Sequence, residues 1–506
     1  MESAVSAGLP PPPSLAQLEA LDRPVLDALR ERLRAAEYTP AILQRAEQVI
    51  PGQLDASRLP LVHWHLERDH TPASDLALLF SYYGALPRRQ VEALLGVDVL
   101  GALERAAVLC DAPERNDHVI ASCELLPFET LWLLADYPSA GPDTVMGPGG
   151  TTGEVTHLMP PAMSGSMYDA GCGAGSLALV AAARGCSPVC GSDINPRAVA
   201  IARLNATLNQ LSAEFLTGDW TAPVRGRQFD WVMAQPPYVI QPPDVEGVTY
   251  LHGGPRGDRL VRQLLGELPA ILAPGGRALI LIDAAIEPGV PLHHPVREAL
   301  GDATLDLVAL VAPGISADLQ ARAYAAIDDP ALGARFVRNA RRYREHLGSL
   351  GDPEFRHMAL LIARARREGD ASPLTAMLPV RALRGGARRN VVDVLDAMAL
   401  AHAGDAELKT ATLRVSGWAR WTQELDRPDP ASPGRTRVQF EPGALGMDQE
   451  LSGASLALLS TMLTSCTLEV AIERYAALCD ATTDEVREQV TGFVRGGLAT
   501  GMIEPA

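Results

Sequence analysis

Apolar residues recur at two different spacings along this 506-residue chain, and the change between them divides it. From Ser14 to about Gln48, Leu15, Leu18 and Leu21, then Leu26, Leu29 and Leu33, stand three to five residues apart, a spacing that predicts two short helices. Residues 74–137 predict three more helices, Asp75–Tyr83, Arg88–Leu95 and Leu100–Leu109, before a polar turn at Pro113–Asp117 between two short strand-like runs. Three helices and a hairpin outline a winged helix, serving as a packing or dimerisation unit. From 166 to 283 short apolar runs alternate with amphipathic stretches, the sign of a parallel α/β sheet. The alternation extends to about 367, with Leu305–Val311 and His357–Ala363 as its last two strands and a helical segment between them. Residues 452–506 return to helical spacing over Ala454–Leu463, Leu468–Leu478 and Thr483–Leu498, then a short strand, a second winged-helix-like outline.

Between these blocks, residues 138–157 are rich in Gly, Pro and Thr and read as a linker or a loop approaching the site. Residues 368–440, rich in Arg, Gly, Pro and Asp, predict no clear elements, and the start of the chain through Pro10–Pro13 reads as an extended leader. The expected division is 1–140, 141–370 and 371–506, the last helical over 452–506.

Composition narrows the classes. Hydrophobic residues make up 47% and charged residues 21%, as in globular proteins. A net charge of −17 repels phosphate backbones, so nucleic acid is disfavoured as a partner. The densest basic cluster, Arg384, Arg388 and Arg389, reads as a solvated face. The seven cysteines are odd in number and form no C-x-x-C pair, which argues against a disulfide framework and a zinc site. With no signal-peptide pattern and no run of about 18 apolar residues, the expectation is a cytoplasmic protein with reduced thiols, no membrane contact and no metal.

The densest chemistry lies in the α/β block. Tyr168-Asp169-Ala170-Gly171-Cys172-Gly173-Ala174-Gly175 reads as a strand and a glycine turn before the helix Ser176–Arg184. Its spacing is G-x-G-x-G rather than the G-x-G-x-x-G of dinucleotide sites, which argues against a nicotinamide dehydrogenase. A second strand, Val189–Asp193, ends in a carboxylate 20 residues after Gly173, placed to accept from ribose hydroxyls. Asn195 and Pro196 then start a helix. A third strand ends in Gly218-Asp219-Trp220, where Asp219 can accept from an adenine amine and Trp220 can pack on a ring. A fourth, Phe229–Ala234, runs into Gln235-Pro236-Pro237-Tyr238, whose prolines fix φ and hold their neighbours still. Pro274-Gly275-Gly276 leads into a fifth.

This ordered set resembles the class I S-adenosylmethionine-dependent methyltransferases, over about 150–310 and on to 367. Gln235-Pro236-Pro237-Tyr238 is similar to the Asn-Pro-Pro-Tyr motif of the N-methyltransferases that act on release-factor glutamine, adenine and ribosomal-RNA guanine. The resemblance implies an α/β fold, a seven-stranded Rossmann-like core flanked by mainly helical, winged-helix-like units. It implies S-adenosyl-L-methionine as cofactor, lined by Asp169, Gly171, Gly173, Gly175, Asp193, Ile194, Asp219 and Trp220. It gives Gln235 the role of accepting from the substrate N–H groups, Pro236 that of a second acceptor through its carbonyl, and Tyr238 that of a stacking face. Gln235 is one methylene longer than the usual Asn, and near-attack geometry is sensitive to about an ångström.

Tyr250, His252 and His294 are further candidates for the substrate side. The expected activity is direct methyl transfer to a nitrogen of a small molecule or protein side chain. The alternatives are an rRNA or tRNA base N-methyltransferase, an O-, S- or C-methyltransferase of a natural-product pathway, and an inactive cofactor-binding regulator. A homodimer through the flanking units is an arrangement open to the chain.

Overall fold

The computed structural model describes residues 9–48, 58–113, 115–138, 141, 143–243, 245, 251–301, 304–329, 332–364, 373–380, 383, 390–417, 419–424, 435–440 and 449–506. Tyr250 and the cluster Arg384, Arg388 and Arg389 lie outside the described residues.

A mixed sheet of eight strands occupies the middle of the chain. Its strands are β1 Met167–Ala170, β2 Val189–Asp193, β3 Glu214–Thr217, β4 Phe229–Ala234, β5 Leu272–Ile286, β6 Leu305–Val311, β7 Glu354–Arg364 and β8 Thr375–Pro379. Their spatial order is β8-β6-β7-β5-β4-β1-β2-β3. β7 runs antiparallel to both its neighbours, and the other pairings are parallel. The order reverses at β1 and β4, so their C-terminal ends open the crevice in which such sheets place a site. The sheet has one strand more than the seven expected. β8 pairs with the free edge of β6, with Leu307 opposite Thr375, and carries the sheet past residue 370.

The helices numbered here are α1 Gly150–Leu158, α2 Ser176–Ala183, α3 Pro196–Leu208, α4 Arg259–Ile271, α5 His294–Leu300, α6 Ala317–Asp328 and α7 Ala334–Ser349. Strand alternation sorts the core between the two sheet faces. Leu279 and Leu281 share one buried cluster with Leu177 and Val180 of α2, while Ile280 and Ile282 share the other with Leu264 and Leu268 of α4. The pair α6 and α7, inserted between β6 and β7, buries Tyr324, Tyr343 and Leu347 with Val239 and Ile240, just beyond the double-proline turn. α1 departs from the sequence expectation, which saw a linker or loop there. Glycine and threonine hide it from propensity, yet Thr152 Oγ1 accepts the Gly149 N–H at 3.3 Å and closes its first turn.

The N-terminal flank holds helices Pro72–Phe80, Arg88–Leu95 and Val97–Arg105 beside a sheet ordered Ala85–Pro87, His118–Ala121, Leu109–Asp111. A hairpin, Glu124–Phe128 with Leu131–Ala135, then leads to the central unit. Two side-chain amides of α3 pair with the hairpin's outer strand. Asn205 Oδ1 accepts from Leu134 N at 2.7 Å and its Nδ2 donates to Leu134 O at 2.9 Å. Asn209 makes the same pair of bonds with Trp132, at 3.0 and 2.7 Å. In the C-terminal flank, helix Val391–His402 buries Val394 and Met398 in the same core as Leu279. Beyond it, Gly453–Ser460, Leu468–Cys479 and Thr483–Thr500 surround a sheet of Cys466–Thr467, Thr412–Val415 and Ile503–Pro505. Among the described residues no helix is long and apolar enough to cross a membrane.

Candidate functional site

One large cavity, of about 1260 Å³, opens over the C-terminal ends of β1, β2 and β4. Ligand sites in proteins commonly enclose roughly 300–1,000 Å³, so this space holds one nucleoside-sized molecule and part of a second.

The glycine turn after β1 forms one wall. Gly171 and Gly173 line the cavity and have positive φ, +75° and +51°. Asp193, at the end of β2, accepts the Gly173 N–H at 2.9 Å through one oxygen and the Asn195 N–H at 2.9 Å through the other. A carboxylate offers about four lone-pair sites, so acceptor capacity remains for a vicinal diol. Burial raises the Asp193 carboxyl above its ordinary value, and these two N–H groups partly offset the rise. Ile194, which is exposed, and the Asp219 carboxylate border the same space. Trp220 lines it with its ring next to Gly171, has φ +39° and accepts the Tyr168 hydroxyl through its carbonyl at 2.5 Å.

Two residues expected at this wall sit behind it. Gly175 does not line the cavity. A Cβ there would meet Ala202 and Phe215 at 3.1 Å, so its place is the close packing of turn on helix. Asp169 touches the cavity but is only 1% exposed, and it accepts the Ala178 N–H at 3.0 Å, capping α2 from inside. Burial pushes its carboxyl up to about 7, against the lowering effect of that N–H.

The double-proline turn forms the opposite wall. Gln235, Pro236, Pro237 and Tyr238 all line the cavity. The Gln235 amide is held by α1: its Oε1 accepts from Thr152 Oγ1 at 3.2 Å, and its Nε2 donates to Thr151 Oγ1. The turn's backbone is clamped from outside by 253–257. Gly253 N donates to Val239 O at 2.9 Å, and a Cβ at Gly257 would lie 2.4 Å from the Tyr238 carbonyl. His252 is buried and lines the cavity. His294 does not: it is exposed at the start of α5, on the outer side of α4, and is removed from the site.

A third group was missed in the sequence. Glu154 on α1, Asp283 on β5 and His357 on β7 line the cavity. His357 Nδ1 lies 2.5 Å from Asp283 Oδ1, and its Nε2 lies 2.6 Å from Glu154 Oε2. Burial works against the charged imidazole, but the hydrogen bonds to the two carboxylates outweigh it and push the His357 pKa up to about 9. No spacing in the chain links these residues; they meet because Asp283 and His357 are cross-strand partners. Thr151 and Thr152 lay in the stretch read as linker.

The lining fits a cationic nucleoside. Carboxylates at Asp193, Asp219, Glu154 and Asp283 outnumber the cations Arg259 and His357, and Ile194 and Trp220 supply apolar faces.

The methyltransferase small domain family matches residues 150–287. A release factor glutamine methyltransferase of Caulobacter vibrioides is 37% identical over 135 residues, 24% of this chain and 47% of the relative. A putative protein N5-glutamine methyltransferase of Methanocaldococcus jannaschii is 34% identical over 119 residues, 23% of this chain and 60% of the relative. A ribosomal protein L11 methyltransferase of Polynucleobacter necessarius is 49% identical over 51 residues, 10% of this chain and 16% of the relative. The chain thus spans about half the length of the first two.

Proposed function

We propose that this chain, whose residues 150–287 match the methyltransferase small domain family, is an S-adenosylmethionine-dependent methyltransferase of the N5-glutamine type and methylates an amide nitrogen on a protein side chain. The observation that carries the reading is one cavity with the Asp193–Gly173 closure on one wall and Gln235-Pro236-Pro237-Tyr238 on the other. A small-molecule amide fits the same walls, and relatives named for protein substrates, a release factor and ribosomal protein L11, favour a protein. A nucleic-acid acceptor is disfavoured by the net charge of −17.

S-adenosyl-L-methionine, when bound, supplies a methyl group already activated by the sulfonium charge. Gly171 and Gly173 would cradle its amino-acid end, Asp193 its ribose hydroxyls, and Ile194, Asp219 and Trp220 its adenine. Asp169 and Gly175 act behind this layer by holding the turn. The acceptor's N–H groups would meet the Gln235 amide oxygen and the Pro236 carbonyl, and Tyr238 would cover its planar face. Thr151 and Thr152 hold the longer Gln235 side chain back toward α1, which offsets its extra methylene. His252 stands on the substrate side. Positioning of this kind is worth up to roughly 7–11 kcal/mol of barrier.

The central unit of this reading is 141–370 extended through β8, and the flanks, 1–140 and the residues after β8, are winged-helix-like, each from a set of three helices beside a three-stranded sheet. They frame the catalytic unit in a cytoplasmic protein and offer the surfaces for a homodimer, which sedimentation tests as mass against concentration. The function itself is tested with methyl-labelled S-adenosylmethionine, calorimetry of S-adenosylhomocysteine, and a glutamine-bearing protein acceptor. Label on the glutamine side chain is expected; a chain that does not bind S-adenosylhomocysteine overturns the reading.

A further inference from the structure

We propose that Glu154, backed by His357 and Asp283, takes the hydrogen bond and then the proton of the nitrogen being methylated. The inference rests on the amide-methylating reading above and adds a residue set to it.

Placement comes first. Gln235 is bonded to Thr151 and Thr152 near the start of α1, and Glu154 lies three residues after Thr151, on the same helix face. All of them line the one cavity. Ile280 of β5 pairs with Ala234, the residue before Gln235. Asp283 therefore stands about two residues further along the strand direction than Gln235, roughly 7 Å. His357 pairs with Asp283 across the ladder and reaches from there to Glu154. The cluster thus sits just past the double-proline turn, on the side of the cavity away from the glycine turn.

Chemistry comes second. Glu154 is 3% exposed, and a carboxylate so buried costs several kcal/mol to desolvate unless paired. A purely structural tie between α1, β5 and β7 is made more cheaply by apolar side chains, so three ionisable groups facing a cavity mark a working site. Gln235, Thr151 and Thr152 have no basic atom. Near neutral pH His357 is protonated, and each imidazole N–H points at one of the two carboxylates.

On transfer, the amide nitrogen forms the N–C bond with the methyl carbon, and the carbon–sulfur bond pair goes to sulfur. The nitrogen is left with one proton more than the neutral product. Glu154 accepts it, so the cluster gains one proton and one unit of positive charge. Asp283, whose side chain is 20% exposed, is the member from which a proton returns to water.

The test uses the full chain with isotope-labelled histidine and N-acetylglutamine amide as the probe, with and without S-adenosylhomocysteine. The amide is expected to shift the His357 ring resonances saturably in the wild type and not in Glu154→Gln. Transfer to the same amide should fall about 10²–10⁴-fold in Glu154→Gln, while S-adenosylhomocysteine affinity by calorimetry stays within about twofold, well under the roughly tenfold that 1.4 kcal/mol would make. Wild-type transfer by Glu154→Gln, or His357 resonances that ignore the amide up to its solubility, overturns the proposal. Should Glu154→Gln not fold, Asp283→Asn decides: transfer must slow and the His357 titration must move down, and an unchanged rate overturns the proposal. A chain that ignores S-adenosylhomocysteine defeats the methyltransferase reading instead, and the amide-induced shift at His357 still judges the cluster.

Discussion

Asp193 and Gly173, 20 residues apart in sequence, are joined by a 2.9 Å hydrogen bond from the Gly173 N–H to the Asp193 carboxylate. The bond links the end of β2 to the turn after β1, so one side chain both closes the glycine turn and faces the cavity. Asp193→Ala removes that closure and the proposed diol acceptor together. Hydrogen bonds to charged groups contribute about 1.5–3 kcal/mol each. The expected outcome is at least a roughly tenfold loss of S-adenosylhomocysteine affinity by calorimetry. Unchanged affinity would remove Asp193 from the cofactor wall.

Gln235 and its two threonines should separate binding from transfer. Gln235→Ala is expected to slow methyl transfer about 10²-fold, because near-attack geometry tolerates little displacement, with cofactor affinity nearly unchanged. Thr152→Val, which cannot donate to Gln235 Oε1, should give a smaller loss in the same direction. Single-turnover rates beside calorimetry check both. Loss of binding in Gln235→Ala would reassign the side chain to the cofactor.

The His357 cluster predicts a pH-dependent stability. Its folded-state pKa of about 9 lies above the ordinary 6.5, so charged His357 stabilises the fold fully below about pH 6.5. That contribution fades as pH rises through the window from 6.5 to 9. Thermal melts of wild type and His357→Gln should differ most near pH 6, by about 2–3 kcal/mol at the upper limit, and converge above pH 9. A difference that grows with pH would contradict the assignment.

Gly175→Ala tests the packing behind the turn. The position has φ +82° and a Cβ would lie 3.1 Å from Ala202 and Phe215. A cost of about 1–3 kcal/mol is expected, read as a lower denaturation midpoint. S-adenosylhomocysteine should partly restore the midpoint, since Gly175 lies outside the cavity.

Legibility in the sequence followed locality. Leu305–Val311 is a strand with the bounds its apolar run predicts, and Arg88–Leu95 is a helix with the bounds its spacing predicts. The glycine turn, Asp193 and the Gln-Pro-Pro-Tyr corner were visible because each is a short string with its own backbone chemistry. α1 was not, because Gly150-Thr151-Thr152-Gly153 reads as loop until tertiary contacts with Gln235 and His357 hold it. Glu154, Asp283 and His357 are 74 to 203 residues apart in bonded pairs, one joined by the sheet register and the other by the packing of α1 on the sheet. β8 was hidden because an edge strand of three half-exposed residues between two exposed ones has no strong alternation.

Asn205 and Asn209 of α3 pair, as a backbone would, with Leu134 and Trp132 of the hairpin before the central unit, and Asn205 Nδ2 also donates to the Ala174 carbonyl at 2.9 Å. Ala174 lies inside the glycine turn. A chain begun at residue 141 would leave both amides without those partners, an open face on α3 and a loosened turn. The portion that matches the methyltransferase small domain family is therefore not a transplantable cassette. What precedes it in the chain is part of the apparatus that shapes its cavity, and grafting or excision should begin upstream of Glu124.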